Sequence, residues 1–324
     1  MPRVTIHTPT WNRAATLPRA WESLKSQTFG DFEWIVSDDA SNDGTLELLE
    51  EWQAQASFDL RIRVFPRRVG KPFHDNDAAR VARGELFVTL GSDDAFVPTG
   101  LERLVAAWDS IPISQRSRYA SVTAQTVTLE GEPVGVPFPA SPFDVGEFEL
   151  AHDKGLHFDA YVMVRTDLLR GFPYPEIDYV VPESSVWLHT PGRRYMTRCI
   201  NEVVTRIARS TPNRISGYPK MRYNRGYAYG QAQVINNPAV RLWRRPGQAL
   251  ARYLNLGRLS RHGQTSYREV AGWLRSGPAR FTFAALYPAA MALAVRDRLL
   301  GKVEHTPFTP FSGEPIAIEP KGMR

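Results

Sequence analysis

Between Val4 and Leu90, four short apolar runs alternate with three stretches whose apolar residues recur every three or four positions. Val4–Thr8, Phe32–Ser37, Leu60–Phe65 and Leu86–Leu90 have the length and composition of strands. Thr16–Gln27 carries Leu17, Ala20, Trp21 and Leu24 at helical spacing, with Thr16 in the place of an N-cap. Thr45–Gln55, with Leu46, Leu48, Leu49 and Trp52, reads as a second helix, and Asp75–Arg83, stopped by Gly84, as a third. A β-α-β-α-β-α-β order calls for an α/β fold, a mostly parallel sheet with helices on both faces. Ligands of such sheets bind beyond the carboxyl ends of the strands.

Three polar clusters fall at those ends: Thr8–Arg13, Asp38–Asp43 and Ser92–Asp94. In LFVTLGSDD an apolar run stops at two adjacent carboxylates, Asp93 and Asp94. Hard cations such as Mg²⁺ take oxygen ligands and share themselves between one or two carboxylates and substrate phosphates. Asp also favours the turn after a strand. One acidic pair fits either reading; two acidic pairs and an Asn-Arg, after three strands, mark a site.

Further on, Leu101–Asp109 reads as a helix, Tyr119–Leu129 as a strand closed by the turn Glu130-Gly131-Glu132, and Asp159–Arg165 as another strand. Pro133–Pro142 and Pro173–Pro182 read as irregular, and Ser184–His189 as helical. Helical spacing returns near Pro246–Ser260, Ser266–Arg275 and Phe281–Leu300. At 324 residues the chain is long for one core. The expected division is a ligand-binding domain over 1–210 and a basic, mainly helical region over 211–324.

Charge divides the same way. Arg193 to Lys302 holds 21 Lys/Arg against three acids, Glu202, Glu269 and Asp297, while the remainder holds 19 against 31. A basic back half points to an anionic partner. No recognised nucleic-acid motif accompanies the arginines. The Phe281–Val295 run has no charge but is shorter than a spanning helix, and Pro288 interrupts it. Leu250, Tyr253 and Leu254 share a helical face, with Arg252, Arg258 and Arg261 largely off it. That pattern fits attachment to an anionic membrane surface, or a bundle packed on the first domain or a second copy of the chain. One cysteine, Cys199, excludes an intramolecular disulfide, and no apolar signal core precedes the first strand, so the expected location is cytoplasmic.

The motifs carry a resemblance. TPTWNR, SLKSQTFGDFEWIVSDDASNDGT, Gly70-Lys71, NDAARVARGEL and LGSDD stand in the order and spacing of family 2 glycosyltransferases with the GT-A fold. The chain resembles that family densely over residues 3–110 and more loosely to about 210. The resemblance implies transfer of a sugar, with inversion, from a nucleoside diphosphate donor to a glycan or lipid-linked acceptor, with Mn²⁺ or Mg²⁺. A UDP-sugar is the favoured donor, and surface polysaccharide or glycoconjugate synthesis the implied setting.

It also implies roles for individual residues. Asp93 is the main metal ligand and Asp94 supports it, while Ser92 bonds the ribose or a metal-bound water. Gly91 departs from the family, which commonly has an acid there. Thr8, Pro9 and Arg13 lie against the base and ribose. Asp39, or Asp38 after it, accepts from a uracil-type N–H, a contact suited to an acceptor-only carboxylate. Lys71 faces the base or phosphates, Asn76, on the helix before the metal strand, joins the donor-nucleotide residues, and Arg80 sits on the same helix. Glu183, in VVPESSVW, stands where the family has its general base, commonly Asp, with Glu176 and Asp178 as alternatives. His157 and Asp159 edge the acceptor pocket, Trp187 and His189 lie on the helix of the base, and Arg206 and Arg209 grip the diphosphate. Each has a plainer reading: an Asx turn for Asp38 and Asp39, a solvated lysine for Lys71, a helix N-terminal acid for Glu183. A non-catalytic carbohydrate- or nucleotide-binding protein on the same scaffold is the competing function, with a nucleotidyltransferase behind it.

Overall fold

Side-chain alternation in the first two strands sets the layers of the molecule. The computed structural model describes residues 1–152, 160–182, 194–209, 224–303, 308–309 and 311–318. In β1 (Val4–Thr10), Val4 and Ile6 join the main apolar core, while Thr5 and His7 turn to the opposite face. β2 (Phe32–Asp38) does the same, with Phe32, Trp34 and Val36 on the first face and Glu33, Ile35 and Ser37 on the second. Against the first face pack α1 (Leu17–Lys25), α2 (Thr45–Gln55) and α4 (Gly100–Asp109). Trp21, Trp34 and Trp52 stack there, Trp21 and Trp52 with centroids 5.2 Å apart. Against the second face packs α3 (Lys71–Val81), through Ala78 and Ala79.

The second face is also polar. Glu33 is fully buried and accepts from Thr5 at 2.7 Å, Arg61 at 3.0 Å and Arg83 at 2.9 Å. Burial would raise its carboxyl; those donors outweigh it and hold it below the ordinary glutamate range. A buried carboxylate survives only with such partners.

β3 (Asp59–Val64) and β4 (Leu86–Thr89) complete the expected parallel set, in the order β3-β2-β1-β4. The order reverses at β1, whose second neighbour is β4 and not a strand next to it in sequence. β6 (Tyr119–Thr128), β9 (Tyr161–Arg165) and β10 (Met196–Ile207) extend the sheet beyond β4, and the two-residue β5 (Ala95–Phe96) edges β10. β10 runs parallel to β6, so its end lies at the carboxyl edge with those of β1 and β4.

β10 escapes the sequence reading because its arginines mask it. Thr197 and Cys199 are buried, yet Arg198 between them is buried as well, in an ion pair with Asp144 at 2.7 Å. Register shifts between Ile200 and Val203 and between Val203 and Thr205 then break the alternation. Pro133–Pro142 is not wholly irregular: β7 (Pro133–Val134) pairs with β6, and β8 (Phe143–Gly146) follows it on β10. α3 begins at Lys71 and not at Asp75, since Gly70 makes the entry turn at φ 92° and Pro72 fits a first helical turn.

Helices Asn224–Asn236, Pro246–His262, Tyr267–Trp273 and Gly277–Leu299 build a second core from Ala228, Ala232, Leu256, Val270, Leu274 and Phe283. The chain then returns to the sheet. Phe308 and Phe311 pack on Phe65, Val69 and Phe73, and β11 (Ile316–Ile318) pairs antiparallel with β3.

Trp34 is the test of this core, being fully buried beside the stacked Trp21 and Trp52 and donating Nε1–H to Thr8 Oγ1 at 2.9 Å. Trp34→Ala is expected to cost about 3–5 kcal/mol, read as a lower midpoint in denaturant at unchanged slope.

Candidate functional site

Hydrogen bonds between loops bring the strand ends together. The β1–α1 loop meets the β2–α2 loop where the Asn12 amide donates to Ser41 Oγ at 2.8 Å, Arg13 to Thr45 Oγ1 at 2.9 Å and Ala14 to Asp43 Oδ2 at 3.0 Å. Asn12 carries a positive φ of 51°, and its Oδ1 accepts the Asn42 amide at 2.9 Å. Thr16 makes no N-cap bond; its hydroxyl donates to Ser92 O at 3.1 Å, and Arg19 donates to Asp93 O. The first helix is thereby tied to the acidic end of β4.

Asp38 and Asp39 are adjacent in sequence and separate in space. Asp38 ends β2; its Oδ2 accepts the Ser41 amide at 2.9 Å, while Oδ1 is buried without a hydrogen-bond partner. Burial raises its carboxyl above the usual range, more than Ser41 lowers it. Asp39 turns toward α3. Its Oδ1 accepts the Val69 amide at 2.6 Å, its Oδ2 lies 3.3 Å from the Gly70 amide, and His74 Nε2 stands 3.2 Å from Oδ1. Burial would raise this carboxyl, but His74, the Val69 amide and Arg68 hold it below the usual range.

Arg68 adds a feature the sequence reading missed. Its guanidinium lies 3.6 Å from the ring centre of Trp11 and 5.5 Å from that of Tyr179, with Nε 3.7 Å from Asp39 Oδ2. Two aromatic faces on a flat cation form a slot for planar groups. Trp11 sat inside the quoted TPTWNR stretch and could have been singled out. Arg68 and Tyr179 meet only through tertiary structure.

Asp93 and Asp94 form the acidic edge. Asp93 is buried, and its Oδ2 has no hydrogen-bond partner. Asp94 Oδ1 accepts the Ala208 amide at 2.9 Å, joining β4 to the end of β10. Gly91 stands against both: a Cβ there would lie 2.4 Å from Asp94 Oδ2 and 3.4 Å from Asp93 Oδ1. The Asp94 carboxylate therefore fills space that a side chain at position 91 would need. Tyr161, donating to Thr89 O, has its phenol pushed well above the ordinary tyrosine range by burial and by the Asp94 charge. Among the described residues, no cluster of three or more His, Cys, Asp or Glu forms a metal site.

The remaining named residues scatter around this edge. Pro9 pairs in register with Ser37, and Thr8 is turned into the core by Trp34. Lys71 bonds Asp75 at 2.6 Å, and Asp75 in turn meets the buried His7 at 3.3 Å. Burial lowers the His7 imidazole, more than Asp75 raises it. Asn76 anchors the 174–176 stretch, donating to Tyr174 O and Glu176 Oε1 and accepting the Tyr174 amide, each at 2.8 Å. Arg80 pairs with Asp77 at 2.8 Å. Arg206 is exposed on β10 and Arg209 is exposed just after it. Glu183, His157, Asp159, Trp187 and His189 lie outside the described residues.

Asp178 links the site to the basic helices. It is buried, its Oδ2 accepts the Gly226 amide at 2.9 Å, and its Oδ1 accepts the Tyr179 amide at 2.8 Å. It thus caps helix Asn224–Asn236 from another segment. Next to it, Tyr179 O accepts the Lys71 amide at 3.0 Å.

The family model described as "Glycosyl transferase family 2" matches residues 5–163. A GalNAc(5)-diNAcBac-PP-undecaprenol beta-1,3-glucosyltransferase of Campylobacter jejuni is 33% identical over 108 residues, 32% of this chain and 34% of that protein. Chondroitin synthase of Escherichia coli is 34% identical over 103 residues, 32% of this chain and 15% of that protein. The matched stretch thus spans about a third or less of these curated relatives. The crystal structure of S. aureus TarS 1-349 in complex with UDP-GlcNAc is similar at a TM-score of 0.58 and 16% identity, covering 93% of this chain and 92% of that one. At that identity the likeness shows the fold.

Asp178 supplies a prediction about pH. Burial raises its carboxyl to about 6, against the backbone amides that lower it. The unfolded value is about 3.9, so between these the native state holds the extra proton and stability falls as pH rises. Asp178→Asn removes that dependence. The stability difference between variant and parent should shift in the variant's favour by about 2 kcal/mol from pH 4 to 7, measured by denaturant unfolding.

Proposed function

With residues 5–163 the chain belongs to glycosyl transferase family 2, on a GT-A type fold, and from that premise we propose that it moves a sugar from a nucleoside diphosphate donor to an acceptor hydroxyl, with inversion. The observation that carries the proposal is the buried, partnerless Oδ2 of Asp93 at the carboxyl end of β4, with Asp94 turned to the same side of Gly91. Carboxylate oxygens suit Mn²⁺ or Mg²⁺, and a pair of them leaves coordination positions for a diphosphate. Asp93 would hold the cation and Asp94 support it. The chemistry supplied by the bound cation is Lewis-acid neutralisation of the departing diphosphate.

A uridine donor is the favoured choice. Its ring matches the slot at Trp11 and Tyr179, which Arg68 fills here, and Asp39 beside it offers carboxylate oxygens to a ring N–H, with Asp38 Oδ1 as the alternative. Thr8 and Pro9 would shape the wall behind the base, and Arg13 and Ser92 would meet the ribose or phosphates. Lys71 and Asn76 would act by holding the 174–179 stretch against α3. Arg206 and Arg209 would steady the diphosphate. Glu183 follows directly on the segment that Asp178 and Tyr179 anchor. As general base it would take the acceptor hydroxyl proton, as that oxygen attacks the anomeric carbon and the bond to the diphosphate breaks.

The Campylobacter relative's name specifies an undecaprenol-linked acceptor, and the chondroitin synthase a polysaccharide product. A glycan or lipid-linked acceptor is accordingly proposed here, within surface polysaccharide or glycoconjugate synthesis. Peripheral attachment at the inner face of the cell membrane would bring the enzyme to such an acceptor.

Screening nucleotide sugars with Mn²⁺ tests the reading. Asp93→Ala should lower turnover by about a hundredfold or more with the circular dichroism spectrum unchanged; full activity in that variant would falsify the mechanism. Gly91→Ala separates position from charge. Its methyl must displace the Asp94 carboxylate from a 2.4 Å approach, so donor KM should rise, with Tm lowered as the Asp94–Ala208 bond is strained. An unchanged KM would remove Asp94 from the site.

A further inference from the structure

The last helix, Gly277–Leu299, is apolar on two opposite faces and packs with one. Its inner face buries Ala279, Phe283, Ala290 and Ala294. Helix Pro246–His262 closes on it at Gly257, where a Cβ would lie 2.7 Å from Ala290 Cβ. On the far side, Phe281, Ala285, Pro288, Ala292, Val295 and Leu299 are all exposed, and the three large ones are 78%, 57% and 82% accessible. At the α-helical pitch these six lie in a stripe about 80° wide and about 27 Å long.

Charge around the stripe has one sign. Arg280, Arg296 and Arg298 flank it. The helix's acid, Asp297, is buried on the inner side, ion-paired with Arg258 and 3.1 Å from His262 Nε2. Across residues 224–303 the sequence holds 13 Lys/Arg and two acids. The other acid, Glu269, is paired with Arg225 at 2.5 Å. No exposed carboxylate of this segment offsets the arginines.

We propose that this outer face seats on an anionic phospholipid surface, with the helix lying in the plane of the interface. The apolar stripe gives the burial and the flanking arginines meet headgroup phosphates, the two terms that bind an interfacial helix. By length and composition the helix could also cross a membrane. Crossing would carry the Asp297–Arg258–His262 cluster into hydrocarbon and strip the inner face from its packing. A second copy laid face to face would set the arginines of one protomer against those of the other. The proposal names the surface behind the peripheral attachment put forward above and rests on that reading, but not on the identity of the sugar.

The test uses the full chain and co-sedimentation with phosphatidylcholine vesicles, with and without phosphatidylglycerol, at low salt. The unaltered protein is expected to bind the anionic vesicles and to leave them at high salt. The triple variant Phe281→Asp, Val295→Asp and Leu299→Asp changes only exposed positions and should bind at least tenfold more weakly at unchanged Tm. Replacing Arg280, Arg296 and Arg298 by Gln should remove the preference for anionic vesicles. Equal vesicle binding by the triple variant would discard this face and leave attachment standing. Absence of binding by the unaltered protein would discard both. A concentration-dependent dimer that the triple variant loses, without vesicle binding, would assign the face to a second copy. Donor hydrolysis, followed in parallel, keeps any of these outcomes apart from a failure of the sugar-transfer reading.

Discussion

The carboxylate of Asp39 sets the position of everything on the α3 side of the ligand end. It receives two successive backbone amides, those of Val69 and Gly70, with His74 and Arg68 beside it. Without it those buried amides would lose their acceptor, at a cost greater than an ordinary hydrogen bond is worth. The β3–α3 loop is held so that Gly70 can turn at positive φ and the 179 backbone can approach, where a Cβ on Gly70 would lie 2.4 Å from Tyr179 Cα. Tyr179 in turn receives the Lys71 amide, and its neighbour Asp178 caps helix Asn224–Asn236. One strand end thereby fixes a loop, the loop fixes a segment, and the segment joins the basic helices to the sheet.

The two sides of the sheet meet different requirements. Toward α1, α2 and α4 the strands present large apolar groups, and dispersion and burial suffice. Toward α3 they present Thr5, His7, Glu33 and Ser37, each of which needs a partner because it is buried. Arg61 and Arg83 answer Glu33, Asp75 answers His7, and Asp77 answers Arg63 at 2.9 Å. This polar face places charged groups from α3 close to the ligand end while the apolar face keeps the strands in register. Alternation at the end of β2 continues the same division, sending Asp38 to one side and Asp39 to the other.

The strand–helix alternation to Leu90 was legible because each element carries its own period. So was the convergence of the three polar loops, since a parallel sheet fixes where its carboxyl ends go. What could not be read depended on distance in space. Arg68 lies between Trp11 and Tyr179 from three separate parts of the chain. β10 buries Arg198 against an Asp144 far away in sequence, and β11 is three residues whose partner β3 is some 250 positions upstream in sequence. Thr16 had the right residue type for a cap, yet its hydroxyl turns to donate to Ser92 O where the two loops meet and accepts no helix amide. Local rules fail where a tertiary partner reorients the side chain they rely on.

Gly91 shows how one such competition shapes the acidic edge. A family-type acid at 91 would require a Cβ where the Asp94 carboxylate now lies. Asp94 cannot simply move aside, because its other oxygen holds the Ala208 amide at the end of β10. The glycine and the Asp94–Ala208 bond therefore belong to one arrangement: the acid is not missing from that space but arrives from three residues later, and brings β10 with it. Ala208 is followed by Arg209, so the bond ties the oxygen pair to the end of a strand that pairing with β6 already holds in place.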